Sequence, residues 1–413
     1  MPCVATRVPA IALCSLALVF GCGEDTTAPS AAVPAALASA AVQTLAFRQI
    51  SAGDLHTCGV TTDDRAYCWG ANSDLAFDVG GGGQLGDGTT VNYRLKPTAV
   101  AGGLRFLEVS AGTSHSCGIT LDYRAYCWGE NWVGQLGDGT TTRRYAPALV
   151  AGGRRFRQIS AGYKHSCGVS TTNVAFCWGS NEHGIMGSGG PSSLVPLRVA
   201  RGLQFRRVIA AFSHTCGTTT DNVGYCWGLN SDGQLGDGTR TSRSKPAAVI
   251  GGHSFRQVVP ASGFIFHAGD EPRLPEETIT CGVATDNLAY CWGIGRATGG
   301  SSLTVPVGGG QSFRTVSPGG VHVCGVNPSN VAFCWGNNGS GQLGTGGGSS
   351  QTPVVVAGGL RFQGVSSSSI GQHTCGITTD HRAYCWGFNY AGQIGDGTRF
   401  TNRTTPVPVA APN

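Results

Sequence analysis

Apolar positions along this chain come in short runs, and none of them is spaced as the face of a helix. A typical run, His373-Thr-Cys-Gly-Ile-Thr, is followed after a polar centre by Arg382-Ala-Tyr-Cys-Trp, and the Thr-Asp-His or Asn-rich centre carries turn chemistry. This predicts two short strands joined by a tight turn. A further run precedes them: Phe47, Phe106, Phe156, Phe205, Phe255, Phe313 and Phe362 each begin a Phe-x-x-Ile/Val pattern. After the Trp-Gly come a glycine-rich loop and an extended Pro-x-x-Val segment such as Pro353-Val-Val-Val356. The unit therefore holds three or four strands in about 50 residues, and it recurs seven times. Units of one small sheet each close best into an all-β, seven-bladed β-propeller, because closure leaves no large open edge.

The cysteines sharpen the hairpin. Cys58 and Cys68 stand ten residues apart, and the same interval separates Cys117 and Cys127, Cys167 and Cys177, Cys216 and Cys226, Cys281 and Cys291, Cys324 and Cys334, and Cys375 and Cys385. A turn centred on Asp380 places Cys375 opposite Cys385, and in a non-hydrogen-bonded pair the Cα atoms lie about 4.5 to 5.5 Å apart, within reach of a disulfide. Each blade is thus expected to carry one intra-hairpin disulfide, worth about 2.5 kcal/mol in the chain-entropy model. Zinc fits poorly, since the members of a pair are not Cys-x-x-Cys and successive pairs fall in separate units.

Two motifs carry a family resemblance. Trp128-Gly-Glu-Asn-Trp-Val-Gly-Gln-Leu-Gly-Asp-Gly139, repeated from Trp227 to Gly238, and the Gly-x-x-His turns at Gly112-Thr-Ser-His115 and Gly162-Tyr-Lys-His165 resemble the regulator of chromosome condensation repeat family. The resemblance covers about residues 46–409 and implies a seven-bladed propeller. Its namesake is a nuclear exchange factor for a small GTPase, and secreted bacterial relatives include an inhibitor of β-lactamases. Such activities reside in particular surface residues and do not follow from the fold. Two cysteines per repeat argue against a reducing compartment.

Residues 1–22 read as a lipoprotein-type signal peptide. Arg7 is a minimal basic region, an apolar stretch too short for a membrane span follows, and Val19-Phe-Gly-Cys22 resembles a bacterial lipobox with Cys22 as the lipidation site. Ordinary cleavage after a small residue, or an uncleaved anchor, is the other reading. Removing Cys3, Cys14 and Cys22 from the 17 cysteines leaves an even set and no spare thiol. Residues 23–45, rich in Ala, Pro and Thr, form a flexible tether, and 46–413 the propeller. The expected location is the cell envelope, lipid-anchored and facing the periplasm or exterior, or else secreted.

Composition adds exclusions. Charged residues are 12%, the formal charge is +5, and arginine doublets such as Arg154/Arg155 and Arg206/Arg207 are scattered, which argues against nucleic acid. Six histidines, His56, His115, His165, His214, His322 and His373, recur once per repeat and are expected to tie their own turns to backbone rather than to catalyse. The Gly-Asp-Gly-Thr loops are expected to be tight turns, with calcium ligation left open, and no cofactor or metal is read.

Two repeats are irregular. The first inserts Leu75–Gly83, and the fifth inserts Phe264–Glu277 and replaces its histidine by Ile279. Alternating strand direction puts both insertions on one face. The candidate partner-binding residues there are Phe77, Trp132, Tyr163, Lys164, Phe212, Phe264, Phe266, His267, Asp270 and Arg273, with Asp54, His183 and Tyr390 as further loop-tip departures. The expected function is a monomeric, non-enzymatic platform for a protein or glycan, with membrane contact through the lipid anchor only. An enzyme sited at the central channel, or at His267, Asp270, Glu271 and Glu276, is the alternative; a structural spacer is the third. The C-terminal Pro406-Val-Pro-Val409 is the expected strand to join the first unit.

Overall fold

The structure, a computed structural model, describes residues 45–73, 82–263, 277–295 and 301–412. Within them, 28 strands form seven four-stranded antiparallel sheets, each built from four consecutive strands paired in chain order. Blade one runs Phe47–Ala52, His56–Thr61, Ala66–Ala71 and Tyr93–Ala99; blade seven runs Phe362–Ser367, His373–Thr378, Ala383–Gly387 and Arg403–Pro408. The one helical element among the described residues is the single turn Glu182–Gly184. The first strands line a central channel, and the fourth strands, with mostly partly exposed side chains, form the rim.

The hairpin follows from its residues. Its second and third strands place Cys58 opposite Cys68, Cys117 opposite Cys127, Cys167 opposite Cys177, Cys216 opposite Cys226, Cys281 opposite Cys291, Cys324 opposite Cys334, and Cys375 opposite Cys385. All seven pairs are disulfide-bonded, with Cα atoms 4.0–4.1 Å apart. That is closer than the spacing expected of the unbridged pair, a correction to the sequence reading in distance and not in pairing. The turn residues Asp64, Tyr123, Asn173, Asn222, Asn287, Asn330 and His381 take positive φ of 62–71°. Glycine after the first cysteine is a packing requirement: a Cβ on Gly59 would lie 2.8 Å from the Phe47 ring.

The core lies between blades. Phe106 and Trp128 of blade two, ring centroids 5.9 Å apart, pack with Cys58, Val60, Ala66 and Cys68 of blade one, and the arrangement recurs around the ring. At every seam the strand-opening Phe N–H donates to the carbonyl of the preceding blade's positive-φ residue at 2.7–2.8 Å. Closure uses the same bond, from Phe47 N–H to His381 O at 2.8 Å. The C-terminal strand does not join the first unit. It pairs with Ala383–Gly387 of its own blade, because residues 403–408 already complete a four-stranded sheet and the seam needs side chains and single backbone bonds only.

Chain direction defines two faces. Turns between first and second strands and loops between third and fourth strands emerge together on the loop face, joined by bonds such as Glu130 N–H to Ser114 O at 2.9 Å. Hairpin turns between second and third strands emerge on the opposite, turn face. In blade five the first strand extends to Gly263 and pairs with Glu277, so the described part of this hairpin is longer than in the other blades and ends on the loop face. Phe77, Phe264, Phe266, His267, Asp270, Arg273, Cys22 and the tether as far as residue 44 lie outside the described residues.

Candidate functional site

The six recurrent histidines are completely buried and bridge blades. Each Nε2 lies 2.7–2.9 Å from a hydroxyl of the next blade: Ser116, Ser166, Thr215, Thr280, Thr374 and, across the closing seam, Thr57. Each hydroxyl in turn donates to a carbonyl of the Gly-Gln-Leu loop or its equivalent at 2.7–3.2 Å. With the hydroxyl proton committed there, Nε2 must carry the ring proton and donate. The sequence expectation of a bond within the same turn is corrected, since the ring points out of its own hairpin towards the neighbour. Among the described residues Nδ1 has no hydrogen-bond partner in any of the six, and burial pushes every imidazole down to about 3. These rings stay neutral and offer no proton transfer at the surface.

The Gly-Asp-Gly-Thr carboxylates are also engaged. Asp138 accepts from the Thr140 hydroxyl at 2.8 Å and from Arg144 Nε at 2.9 Å, and Asp87, Asp237 and Asp396 repeat the pattern. They close their own loops. Among the described residues no group of three His, Cys, Asp or Glu is placed to hold a metal ion.

The central channel encloses about 240 Å³. Its wall is laced by side chains that reach the next blade, such as Gln49, which accepts from Val109 N–H at 3.1 Å and donates to Val109 O at 2.9 Å. Glu108 stands at the equivalent position of blade two and accepts from Ile159 N–H; burial pushes its carboxyl up to about 7. Asp54, at the first turn of blade one, is 8% exposed and is likewise pushed up to about 7 by burial.

The loop face gathers part of the predicted set. Tyr163 and Phe212, in equivalent turns of blades three and four, stack with centroids 4.2 Å apart at 16°, and Lys164 Nζ stands 5.0 Å above the Tyr163 ring. They meet because Tyr163 N–H donates to Ala211 O, fixing one turn against the next. Trp132, 55% exposed, occupies the outer loop of blade two on the same face. His183 sits at φ 56° beside Glu182 in the corresponding loop of blade three. Tyr390 belongs to a cluster that sequence reasoning missed. Its ring lies 5.1 Å from that of Phe400, and Arg399 lies 3.7 Å from the Tyr93 centroid and 4.2 Å from that of Phe400. The signal was loop length: Arg403 follows Asp396 by seven positions, as Arg94 follows Asp87, whereas Arg144 follows Asp138 by six.

Comparison with known proteins agrees with this architecture. Two models of the regulator of chromosome condensation (RCC1) repeat match the chain, one at residues 63–119, 123–169 and 224–264, the other at 47–74, 106–135, 156–185 and 371–393. The human probable E3 ubiquitin-protein ligase HERC4 is 32% identical over 99 residues, which is 24% of this chain and 9% of the ligase. Human WBSCR16 superposes with a TM-score of 0.70 at 19% identity, covering 84% of this chain and 94% of that one. Prp20p of Saccharomyces cerevisiae superposes at 0.69 with 16% identity, covering 89% and 88%. The repeat motifs, the seven blades and these matches together place the chain in the regulator of chromosome condensation repeat family.

Proposed function

We propose that this protein is a non-enzymatic, extracytoplasmic platform that holds a protein partner on its loop face. The observation that carries this reading is the placement of Trp132 and the Tyr163–Lys164–Phe212 group at loop positions of a scaffold locked by disulfides and inter-blade bonds. Rigid aromatic side chains bury area with little loss of conformational freedom, which is what interface anchors require. Seven buried disulfides support an oxidising compartment, and residues 1–22 with Cys22 fit export and lipid anchorage at the cell envelope through the tether 23–45. The neutral buried histidines and the paired loop carboxylates support binding over catalysis. The structure of Prp20p is described with that protein's binding to Gsp1p and histones, which supports protein recognition as a use of this fold.

The test is capture from envelope extracts with the oxidised chain, followed by affinity measurement on the purified partner. Trp132→Ala combined with Tyr163→Ala is expected to weaken binding at least about tenfold, while Arg361→Glu on the turn face leaves it unchanged. Full affinity in the aromatic variant would overturn the reading, as would a captured ligand that proves to be a small-molecule substrate turned over by the chain.

A further inference from the structure

The two faces differ in how their charges are satisfied. On the loop face Arg94, Arg144, Arg243 and Arg403 are each neutralised by the aspartate of their own loop. On the turn face, blades one and seven pair Arg48 with Asp64 and Arg382 with Asp380. The arginines in the segments that lead into blades three and four have no carboxylate of their own among the described residues, as Arg256, Arg314 and Arg361 have none further round this face, and the acid at the blade-four hairpin turn, Asp221, forms no ion pair with them. Arg154, Arg201 and Arg206 form no ion pair among the described residues, and Arg155 shares an Asp122 whose carboxylate is already paired with Arg124. Arg154 instead lies 4.7 Å over the Phe176 ring, Arg155 donates to Asp122 O, and Arg206 donates to Thr220 O at 3.1 Å. Arg207 is different, because it lines the channel and acts on Glu108 there. Read along the chain these are scattered arginines. The repeat collects the first four, because residues 154–155 and 201–206 lead into the first strands of adjacent blades at the same face.

Two further observations say what such a surface faces. Leu121 and Tyr123 at the neighbouring hairpin turn of blade two are 47% and 43% exposed, so apolar tips project beside the guanidinium groups. Leu45 and Ala46, just before the first strand, lie on the same face at blade one, where Ala46 O accepts from Thr62 N–H of the first hairpin turn.

We infer that the turn face of blades two to four docks on an anionic lipid bilayer, its unneutralised arginines on headgroup phosphates and Leu121 and Tyr123 in the interfacial layer. Arginine suits phosphate because its fork of donors matches two oxygens at once. Docking in this orientation turns the loop face away from the membrane. It is independent of acylation at Cys22, since the contacts belong to the propeller.

The test uses the oxidised chain from Gly23 onward, which lacks Cys22; its ring is closed within the described residues. Sedimentation with phosphatidylcholine vesicles, with and without phosphatidylglycerol, is expected to show binding only when the anionic lipid is present, fading as salt is raised. One basic residue near such a surface changes partition about fivefold, so Arg154→Glu/Arg155→Glu/Arg201→Glu/Arg206→Glu is expected to lower it at least about a hundredfold. Arg240→Glu/Arg399→Glu, on the loop face, is expected to bind as the parent does. Cooperative thermal unfolding checks the fold of each variant, and reversing two arginines at a time serves if the fourfold change fails it. Equal binding to both vesicle types, or undiminished binding by folded reversal variants, overturns the inference. Binding to soluble heparin without binding to anionic vesicles also overturns it, reassigning the patch to a polyanionic polymer.

Discussion

Each buried histidine is fixed in one protonation state by two neighbours. Its hydroxyl partner can only accept, and Nδ1 has no hydrogen-bond partner among the described residues, so a second proton would leave a charged, unpaired group in the core. The consequence for pH has a definite sign. A base held at about 3 when folded and about 6.5 when unfolded binds protons preferentially in the unfolded chain across that window. Stability contributed by these rings is complete above pH 6.5 and is lost as pH falls towards 3. Asp54 and Glu108 act the other way, because carboxyls pushed up to about 7 bind protons preferentially when folded. Six sites against two leave a net uptake of roughly four protons on unfolding near pH 5. Thermal unfolding between pH 5 and pH 7 measures this uptake, and a melting temperature flat over that range would refute it. The recurrence of these histidines was plain in the sequence and correctly argued for structure. Their partners were not legible, because each lies 50–66 residues later in the chain, or on the first blade for His373.

At the scale of the blade, one seam departs from the rest. Between blades five and six the histidine is Ile279 and the hydroxyl position is Val323, both buried in one apolar cluster with Phe313 and Trp335. The substitutions compensate: removing both polar partners leaves no orphaned group, whereas removing one would. Trp335 Nε1 nevertheless has no partner among the described residues, although the other six indole N–H groups of the blades each donate to a loop carbonyl at 2.8–3.0 Å. The inner strand also carries Val259 where Ser110 accepts from Ala161 N–H at the seam between blades two and three. What remains is the Gln257 pair with Val316, the Phe313 bond to Asn287 O and the Arg256 bond to Phe313 O at 3.3 Å. Fewer inter-blade hydrogen bonds predict earlier local opening. Native-state hydrogen exchange is therefore expected to release Phe313 N–H before Phe156 N–H, its counterpart at the seam between blades two and three. Equal protection would show that apolar packing alone holds the seam. The sequence flagged Ile279 as an irregularity beside an insertion; that Val323 is its complement needed the fold, since forty-four positions separate them.

For the whole molecule the question is what holds the ring shut. A chain whose last strand completed the first blade would depend on its ends, and its closing seam would differ from the others. Here the closing seam carries the standard set: Phe47 N–H to His381 O, His373 to Thr57, Trp69 Nε1 to Gln393 O, and Ala52 N–H to the Ser366 hydroxyl. Leu45 and Val409 pack against the same core cluster at this seam, so the two ends of the propeller are already near one another. The seven-fold repeat and its disulfides were legible from spacing alone. The mode of closure was not, because strand 403–408 has the same Pro-x-x-Val pattern as other outer strands, which fixes its type and leaves its partner open. If closure is independent of where the chain begins, a circular permutant should fold. Joining Val409 to Leu45 with a short Gly-Ser linker and opening the chain between Gly102 and Gly103, where added side-chain atoms would meet nothing, keeps all seven sheets and every seam bond. Its melting temperature is expected to stay within a few degrees of the parent, since loop-closure entropy changes slowly with length. A permutant that forms its disulfides but melts far below the parent would mean that the native ends stabilise the ring in a way these seam contacts do not account for.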